Sequence, residues 1–251
     1  MIPKKIHYCW FGRGPLPALA VKCIESWKKY FPNYEVIEWN EENFDVNIIP
    51  YTKEAYNAKK YAFVSDYARF WILYNHGGVY FDVDVEVIKP MFHIIERGPF
   101  MGFENNGRGV ESTSLDSLLG VNAGLGLAAE ANMKLYKDIL DYYSSEHFLN
   151  NDGTLNLRTI VSRVTEVLMS KGLIQKNIEQ EVDGVIIYPH DYFCPIRITD
   201  GKKTITKNTV SIHHYAASWT TPSHRFFRKL ILFIGGAKLK TFLSRILRKL
   251  K

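Results

Sequence analysis

Residues 62–90 read AFVSDYARFWILYNHGGVYFDVDVEVIKP, and the reading of this stretch decides the fold. Its first half reads as a helix, which puts Asp66 and Arg69, three apart, on one face. Asn75-His76-Gly77-Gly78 ends that helix, because glycine supplies the left-handed cap. Val79-Tyr80-Phe81 then reads as a buried strand running into Asp82 and Asp84. In extended backbone those two aspartates point the same way, Glu86 keeps their parity, and Val83, Val85 and Val87 take the other side.

Two carboxylates pointing together repel unless a cation or a proton sits between them. Asp-x-Asp alone is a common tripeptide that fits a solvated strand end, and Asp66 with Arg69 fits a surface ion pair. Here the pair closes a run of apolar β-formers, where ordinary solvated carboxylates are out of place. Oxygen ligands of this kind suit a hard divalent ion, Mn2+ or Mg2+, with phosphate oxygens completing its shell.

Ser65-Asp66-x-x-Arg69 followed by Gly77-Gly78-Val79-Tyr80-x-Asp82-x-Asp84 resembles the DXD-containing sugar-transferase family. That family groups bacterial capsule and lipopolysaccharide glycosyltransferases with yeast-type α-mannosyltransferases and, more distantly, the glucosylating clostridial toxins. The resemblance covers roughly the first 90 residues, returns near the C-terminus and is loose between. It implies an α/β fold of the GT-A glycosyltransferase type, with a Rossmann-like nucleotide-binding sheet flanked by helices.

The composition agrees with a globular enzyme: 251 residues, 46% hydrophobic and 14% aromatic. No run reaches the ~18 apolar residues of a membrane span, and Met1-Ile2-Pro3-Lys4-Lys5 leads straight into a strand without a signal peptide. Cys9, Cys23 and Cys194 form no Cys-x-x-Cys pattern, which fits a reducing cytosol better than a disulfide framework or zinc site. Charge is divided unevenly. Residues 1–200 carry 20 Lys and Arg against all 26 Asp and Glu, whereas residues 201–251 carry 12 Lys and Arg and no acid.

Ile2 to Phe11 reads as the first strand, Leu19 to Tyr30 as a helix and Tyr34 to Trp39 as the second strand. Such a unit places ligand at the strand C-terminal ends, where Trp10 stands. By composition Trp10 could equally be a core aromatic; the resemblance implies that it stacks on the uracil of a UDP-sugar. His7 reads as structural. Asn40 to Lys60 reads as mixed helix and loop, Phe100 to Phe103 as a strand, Asn105 to Ser117 as a polar loop and Ala128 to Tyr143 as a helix. Leu155 to Lys171 reads as a further helix and Val185 to Tyr188 as a strand. Asn122-Ala123-Gly124 resembles a segment that touches donor sugar in related transferases, which makes Asn122 a candidate sugar ligand; a tight turn is the alternative.

The stretch His213-His214-Tyr215-Ala216-Ala217-Ser218-Trp219 resembles the element that closes the metal site in GT-A enzymes. The resemblance implies His214 as a metal or diphosphate ligand, with Ser218 and Trp219 near the diphosphate; Ser218 could take the metal instead. A surface histidine pair beside a core tryptophan is the bland alternative. Beyond it, Leu239, Phe242, Leu243, Ile246, Leu247 and Leu250 recur at helical spacing among Lys and Arg. That pattern gives two parts, a catalytic domain over 1–221 and a basic amphipathic helical tail over 222–251. The tail fits an anionic membrane surface or the body of the protein, and fits nucleic acid poorly.

The expected activity is therefore a metal-dependent, retaining glycosyltransferase. It would move a hexose or N-acetylhexosamine from a UDP-sugar to a saccharide acceptor, lipid-linked, in surface-polysaccharide assembly at the inner face of the cytoplasmic membrane. Asp84 would hold the ion, Asp82 would contact ribose or metal-bound water, and Asp66 and Arg69 would orient the donor. A glycosidase needs two carboxylates about 5–9.5 Å apart across a sugar, which Asp82 and Asp84 suit badly. A non-catalytic sugar-nucleotide- or glycan-binding module is the remaining alternative.

Overall fold

A computed structural model describes residues 1–106 and 119–216. In chain order the elements are β1 (Lys5–Cys9), α1 (Ala18–Tyr30), β2 (Glu35–Trp39), α2 (Pro50–Asn57), α3 (Tyr61–His76), β3 (Gly78–Tyr80) and β4 (Val85–Val87). They continue as α4 (Phe92–Ile95), β5 (Phe100–Gly102), β6 (Leu127–Ala129), α5 (Lys134–Ser144), α6 (Ile160–Ser170), β7 (Gln180–Val182), β8 (Val185–Tyr188) and β9 (Ser211–His213). Ser218, Trp219, the expected tail over 222–251 and most of the polar loop expected after Asn105 lie outside the described residues.

Seven strands form one sheet in the order β2-β1-β3-β6-β5-β8-β7, and β4 pairs with β9 in a separate ribbon. β1, β2, β3, β5 and β8 run one way; β6 and β7 run against them. The carboxyl ends of β1, β3 and β5 therefore share one edge, and Trp10, Asp82 and Glu104 follow those ends. Strand parity divides the core. Ile6, Tyr8, Val79 and Phe81 pack on the side of α1 and the ribbon, while Cys9, Tyr80, Leu127 and Ala129 pack on the side of α2, α3, α5 and α6. On the ribbon side the α1 residue Trp27 donates Nε1–H to Val85 O (2.7 Å), and Ser26 Oγ accepts Val87 N–H (3.0 Å).

One expected helix is partly a strand. The segment expected to be helical from Ala128 begins as β6, wedged between β3 and β5, and α5 starts only at Lys134. Alanine favours helix in isolation, but here two unpaired strand edges outweigh that small preference. The helix expected from Leu155 likewise starts late, at Ile160, where the Thr159 side chain accepts the Ser162 N–H.

The reversal from α3 into β3 is built on glycine. Gly77 caps α3 with φ +61°, its N–H on Leu73 O, and Gly78 follows at φ +105°. A Cβ on Gly78 would lie 2.8 Å from Lys5 O and 2.9 Å from His7 Nε2. His7 is fully buried there. The indole of Trp39 can only donate, so His7 Nδ1 accepts its N–H (3.0 Å) and Nε2 donates to Gly77 O (3.0 Å). The structural reading of His7 therefore agrees with its surroundings.

Burial lowers the His7 pKa to about 4, against the raising effect of the Gly77 bond. Its folded value lies below its unfolded value, so the unfolded chain takes up a proton first as pH falls. The stabilisation is complete above about pH 6.5 and lost as pH drops towards 4, by roughly 3 kcal/mol. Urea unfolding across that range should show this loss, and a His7→Gln variant should show a shallower pH slope; equal slopes would assign the acid sensitivity elsewhere.

Candidate functional site

Arg69 and Asp66 are nearly inaccessible, at 3% and 6% exposure, on the face of α3 that meets the end of β3. Arg69 Nη2 lies 2.9 Å from Asp66 Oδ1 and 3.3 Å from Asp82 Oδ1, and Nε donates to Ser65 O (3.0 Å). The guanidinium also lies over the Tyr80 ring, whose hydroxyl donates to Asp82 Oδ1 (3.0 Å). Tyr80 and Asp82, two apart, thus share the α3 side of the strand. Arg69 thus holds the carboxylates of Asp66 and Asp82 in place.

Asp82 and Asp84 do not lie on one extended strand. Val85 N–H bonds back to Asp82 O (2.9 Å), closing a turn between β3 and β4. Their carboxylates still converge, together with a third group that is one residue from the expected one. Asp82, Asp84 and His213 each offer a ligand atom, all within 4.8 Å of one another. His213 Nε2 lies 3.2 Å from Asp84 Oδ1 and 3.9 Å from Asp82 Oδ2.

His214, the residue expected in that place, bonds Glu86 Oε2 (2.9 Å) instead. The reason is register. β9 runs antiparallel to β4 with His213 opposite Val85 and Ile212 opposite Glu86. His213 therefore shares the inner face with Val85, and His214 turns to the face of Glu86. Glu86 also pairs with Lys22 (2.9 Å) and does not join the aspartates as strand parity had suggested.

The two aspartates are electrostatically distinct. Burial would raise the Asp84 pKa, but His213 and the Ala216 N–H (2.7 Å) hold it down at about 2. Asp82 moves the other way: burial raises it and Asp84 adds to this, while Arg69 opposes. Burial also raises Asp66 to about 6, with Arg69 opposing. For His213, burial lowers the pKa, and Asp84 more than reverses that.

The Asn122-Ala123-Gly124 segment is a turn and also abuts the site. Gly124 O accepts Asp82 N–H (3.4 Å), and a Cβ on Gly124 would lie 2.2 Å from Asp82 Oδ2. Asn122 Oδ1 accepts Gly124 N–H, and Nδ2 donates to Glu104 Oε2, both at 2.7 Å. Glu104, which the sequence did not single out, also receives the Tyr215 hydroxyl (3.5 Å); the Tyr215 ring stands edge-on to His213 with centroids 4.2 Å apart. No motif flagged Glu104, whose only signal was its place after β5. Trp10 is half-buried at the end of β1, its Nε1–H on Gly14 O (2.6 Å).

Residues 17–101 match the family described as glycosyltransferase sugar-binding region containing DXD motif. Inositol phosphoceramide mannosyltransferase 3 of Schizosaccharomyces pombe is 30% identical over 115 residues, which cover 42% of this chain and 32% of that protein. Inositol phosphoceramide mannosyltransferase 1 of the same yeast is 28% identical over 111 residues, covering 40% and 33%. The chain thus spans about a third of the length of the curated relatives it matches. The solved PaToxG glycosyltransferase shares the fold, with a TM-score of 0.50 at 17% identity, covering 68% of this chain and 70% of that one. The mixed sheet with helices on both faces is the GT-A architecture.

The ligand assignment separates the two histidines. His213→Ala should weaken Mn2+ binding at least about tenfold in calorimetry, while His214→Ala stays within about threefold of wild type. The reverse pattern would restore the assignment made from sequence.

Proposed function

We propose that this chain, whose residues 17–101 match the sugar-binding region of the DXD-containing glycosyltransferases, is a metal-dependent, retaining glycosyltransferase using a UDP-sugar. The observation that carries the reading is the convergence of Asp82, Asp84 and His213 beside the Arg69–Asp66 pair at the carboxyl edge of the sheet. Two carboxylates and one imidazole form a donor set suited to Mn2+, and Mg2+ is the alternative. Asp84, His213 and Asp82 would hold the ion, which when bound would supply Lewis acidity towards the charge that builds on the departing diphosphate.

The chain's own groups do the rest. Asp84 is ionised across the physiological range and needs no proton removed before it can ligate. Arg69 fixes the carboxylates of Asp66 and Asp82 from beneath. Asp66 would then accept hydrogen bonds from donor-sugar hydroxyls, orienting the anomeric carbon. Trp10 offers its indole face to the uracil, and Asn122 backs the sugar side through its turn on Asp82. Retention follows if the acceptor hydroxyl attacks from the face that UDP leaves and the departing phosphate takes its proton.

A hexose or N-acetylhexosamine is the proposed cargo. A saccharide on a lipid carrier is the proposed acceptor, in keeping with relatives named for inositol phosphoceramide. The basic, apolar-striped residues 222–251 would hold the enzyme at an anionic membrane, on the cytoplasmic side, where surface polysaccharide is assembled.

UDP release measured across a panel of UDP-sugars with Mn2+, Mg2+ or EDTA should single out one donor and vanish with EDTA. Asp84→Asn should reduce that release by roughly a hundredfold or more. Release indifferent to EDTA and to Asp84→Asn would reject the mechanism, and UDP binding without turnover on any donor, GDP-mannose included, would favour a binding module. Deleting residues 222–251 should abolish sedimentation with phosphatidylserine vesicles while sparing UDP binding. Continued sedimentation would remove the tail as the anchor.

A further inference from the structure

The loop that follows β1 is held in a conformation its sequence resists. Gly12 has φ +95° and Arg13 has φ +57°, a left-handed backbone that arginine rarely adopts. Such a residue persists only where its surroundings over-determine it. A Cβ on Gly12 would lie 2.3 Å from the Tyr61 ring, so that ring presses directly against the loop backbone. Glu41 Oε1 accepts two hydrogen bonds at once, from Gly12 N–H (2.7 Å) and from the Tyr56 hydroxyl (2.9 Å). The Tyr56 and Tyr61 rings lie 5.4 Å apart, completing the brace.

The loop's far side reaches the proposed nucleotide site. Gly14 O accepts the Nε1–H of Trp10 (2.6 Å). Trp10 N–H is itself bonded to Trp39 O (2.8 Å), so the backbone is fixed by β2 and the indole plane by the loop. A continuous set of bonds thus runs from Tyr56 through Glu41 and Gly12 around the loop to the indole. Burial raises the Glu41 pKa, but the N–H groups of Gly12 and of Glu41 itself, the Tyr56 hydroxyl and the nearby Arg13 charge together more than offset this and favour the charged carboxylate. A charged acceptor makes stronger bonds than a neutral one.

We propose that Glu41 is a positioning residue for nucleotide binding: by clamping the Gly12–Gly14 loop it sets the plane of the Trp10 indole on which the base stacks. This rests on the reading of Trp10 as the stacking residue, and it adds a device that works at a distance from the ligand. A preset indole spares the entropy of ordering a large side chain on binding. Glu41 acts only through Trp10, so its loss should cost nothing where Trp10 is already missing.

The test is a double-mutant cycle on the full chain, with the UDP dissociation constant in saturating MnCl2 read by calorimetry. Trp10→Ala should weaken UDP binding about tenfold, in the range of base–aromatic stacking. Glu41→Ala should weaken it several-fold, Glu41→Gln should recover most of that loss because it keeps an oxygen acceptor, and Mn2+ binding alone should not change. Glu41→Ala added to Trp10→Ala should make UDP binding no weaker than Trp10→Ala alone. Tyr56→Phe, which removes one hydroxyl and no packing, serves the same cycle should Glu41→Ala fail to fold.

If the Glu41 and Trp10 losses multiply, Glu41 acts generally on stability and the proposal falls while the stacking reading stands. Trp10→Ala that binds UDP as wild type overturns the stacking reading and the proposal together. Loss of Mn2+ binding in Glu41→Ala would likewise show a general effect and reject a positioning role.

Discussion

A guanidinium is buried at the centre of this molecule, and the site is arranged to answer its charge. Arginine cannot shed its proton in a protein, so a side chain as enclosed as Arg69 must be matched by carboxylates or be expelled. One match, Asp66, comes from its own helix, and the other, Asp82, comes from the end of the neighbouring strand. Removing a partner from such a pair costs about 3–5 kcal/mol. The ion pair therefore fixes the rotation of α3 against β3, and the Gly77-Gly78 reversal fixes the distance between them. Asp82 is thereby held in place independently of any ligand, which is how a binding constellation keeps its geometry on rigid elements.

The same tripeptide supplies two carboxylates with different characters. Asp84 draws on His213 and a backbone N–H, both of which favour its charge, whereas Asp82 is half-buried beside Asp84 with Arg69 as its counterweight. The turn between β3 and β4 creates this difference. It aims one aspartate towards the helix layer and hands the other to the β4–β9 ribbon. A divalent cation between them would meet one carboxylate already free of protons and one braced by a buried cation.

Much of this arrangement was legible in the sequence where local rules governed it. The spacing of Asp66 and Arg69, the Gly77-Gly78 stop and the run into Asp82 are decided by neighbours within a few residues. The first helix and second strand also fall within a residue of their expected bounds, while the first strand is shorter than expected, Lys5–Cys9. Legibility failed where a distant partner decided the outcome. Leu127–Ala129 is a strand because β3 and β5 offer it edges, which no property of three small apolar residues announces. His213 and His214 are identical side chains, and only the register of β9 on β4 determines which of them meets the aspartates. Glu104 enters through a strand end that the topology, not the pattern, brings beside Asn122.

The ribbon that delivers His213 joins positions far apart in the chain: its flanking pair, Glu86 and His214, are separated by 128 residues. Closing so long a loop is entropically costly and comes late, after nearer contacts have formed. A chain emerging from the ribosome shows its two aspartates long before their histidine exists. The nascent protein can thus assemble its first strand–helix–strand unit and its arginine pair while the cluster of Asp82, Asp84 and His213 is still short of its third member. The Asp82–Asp84–His213 cluster is complete only once residues 211–213 have been made and have paired with β4.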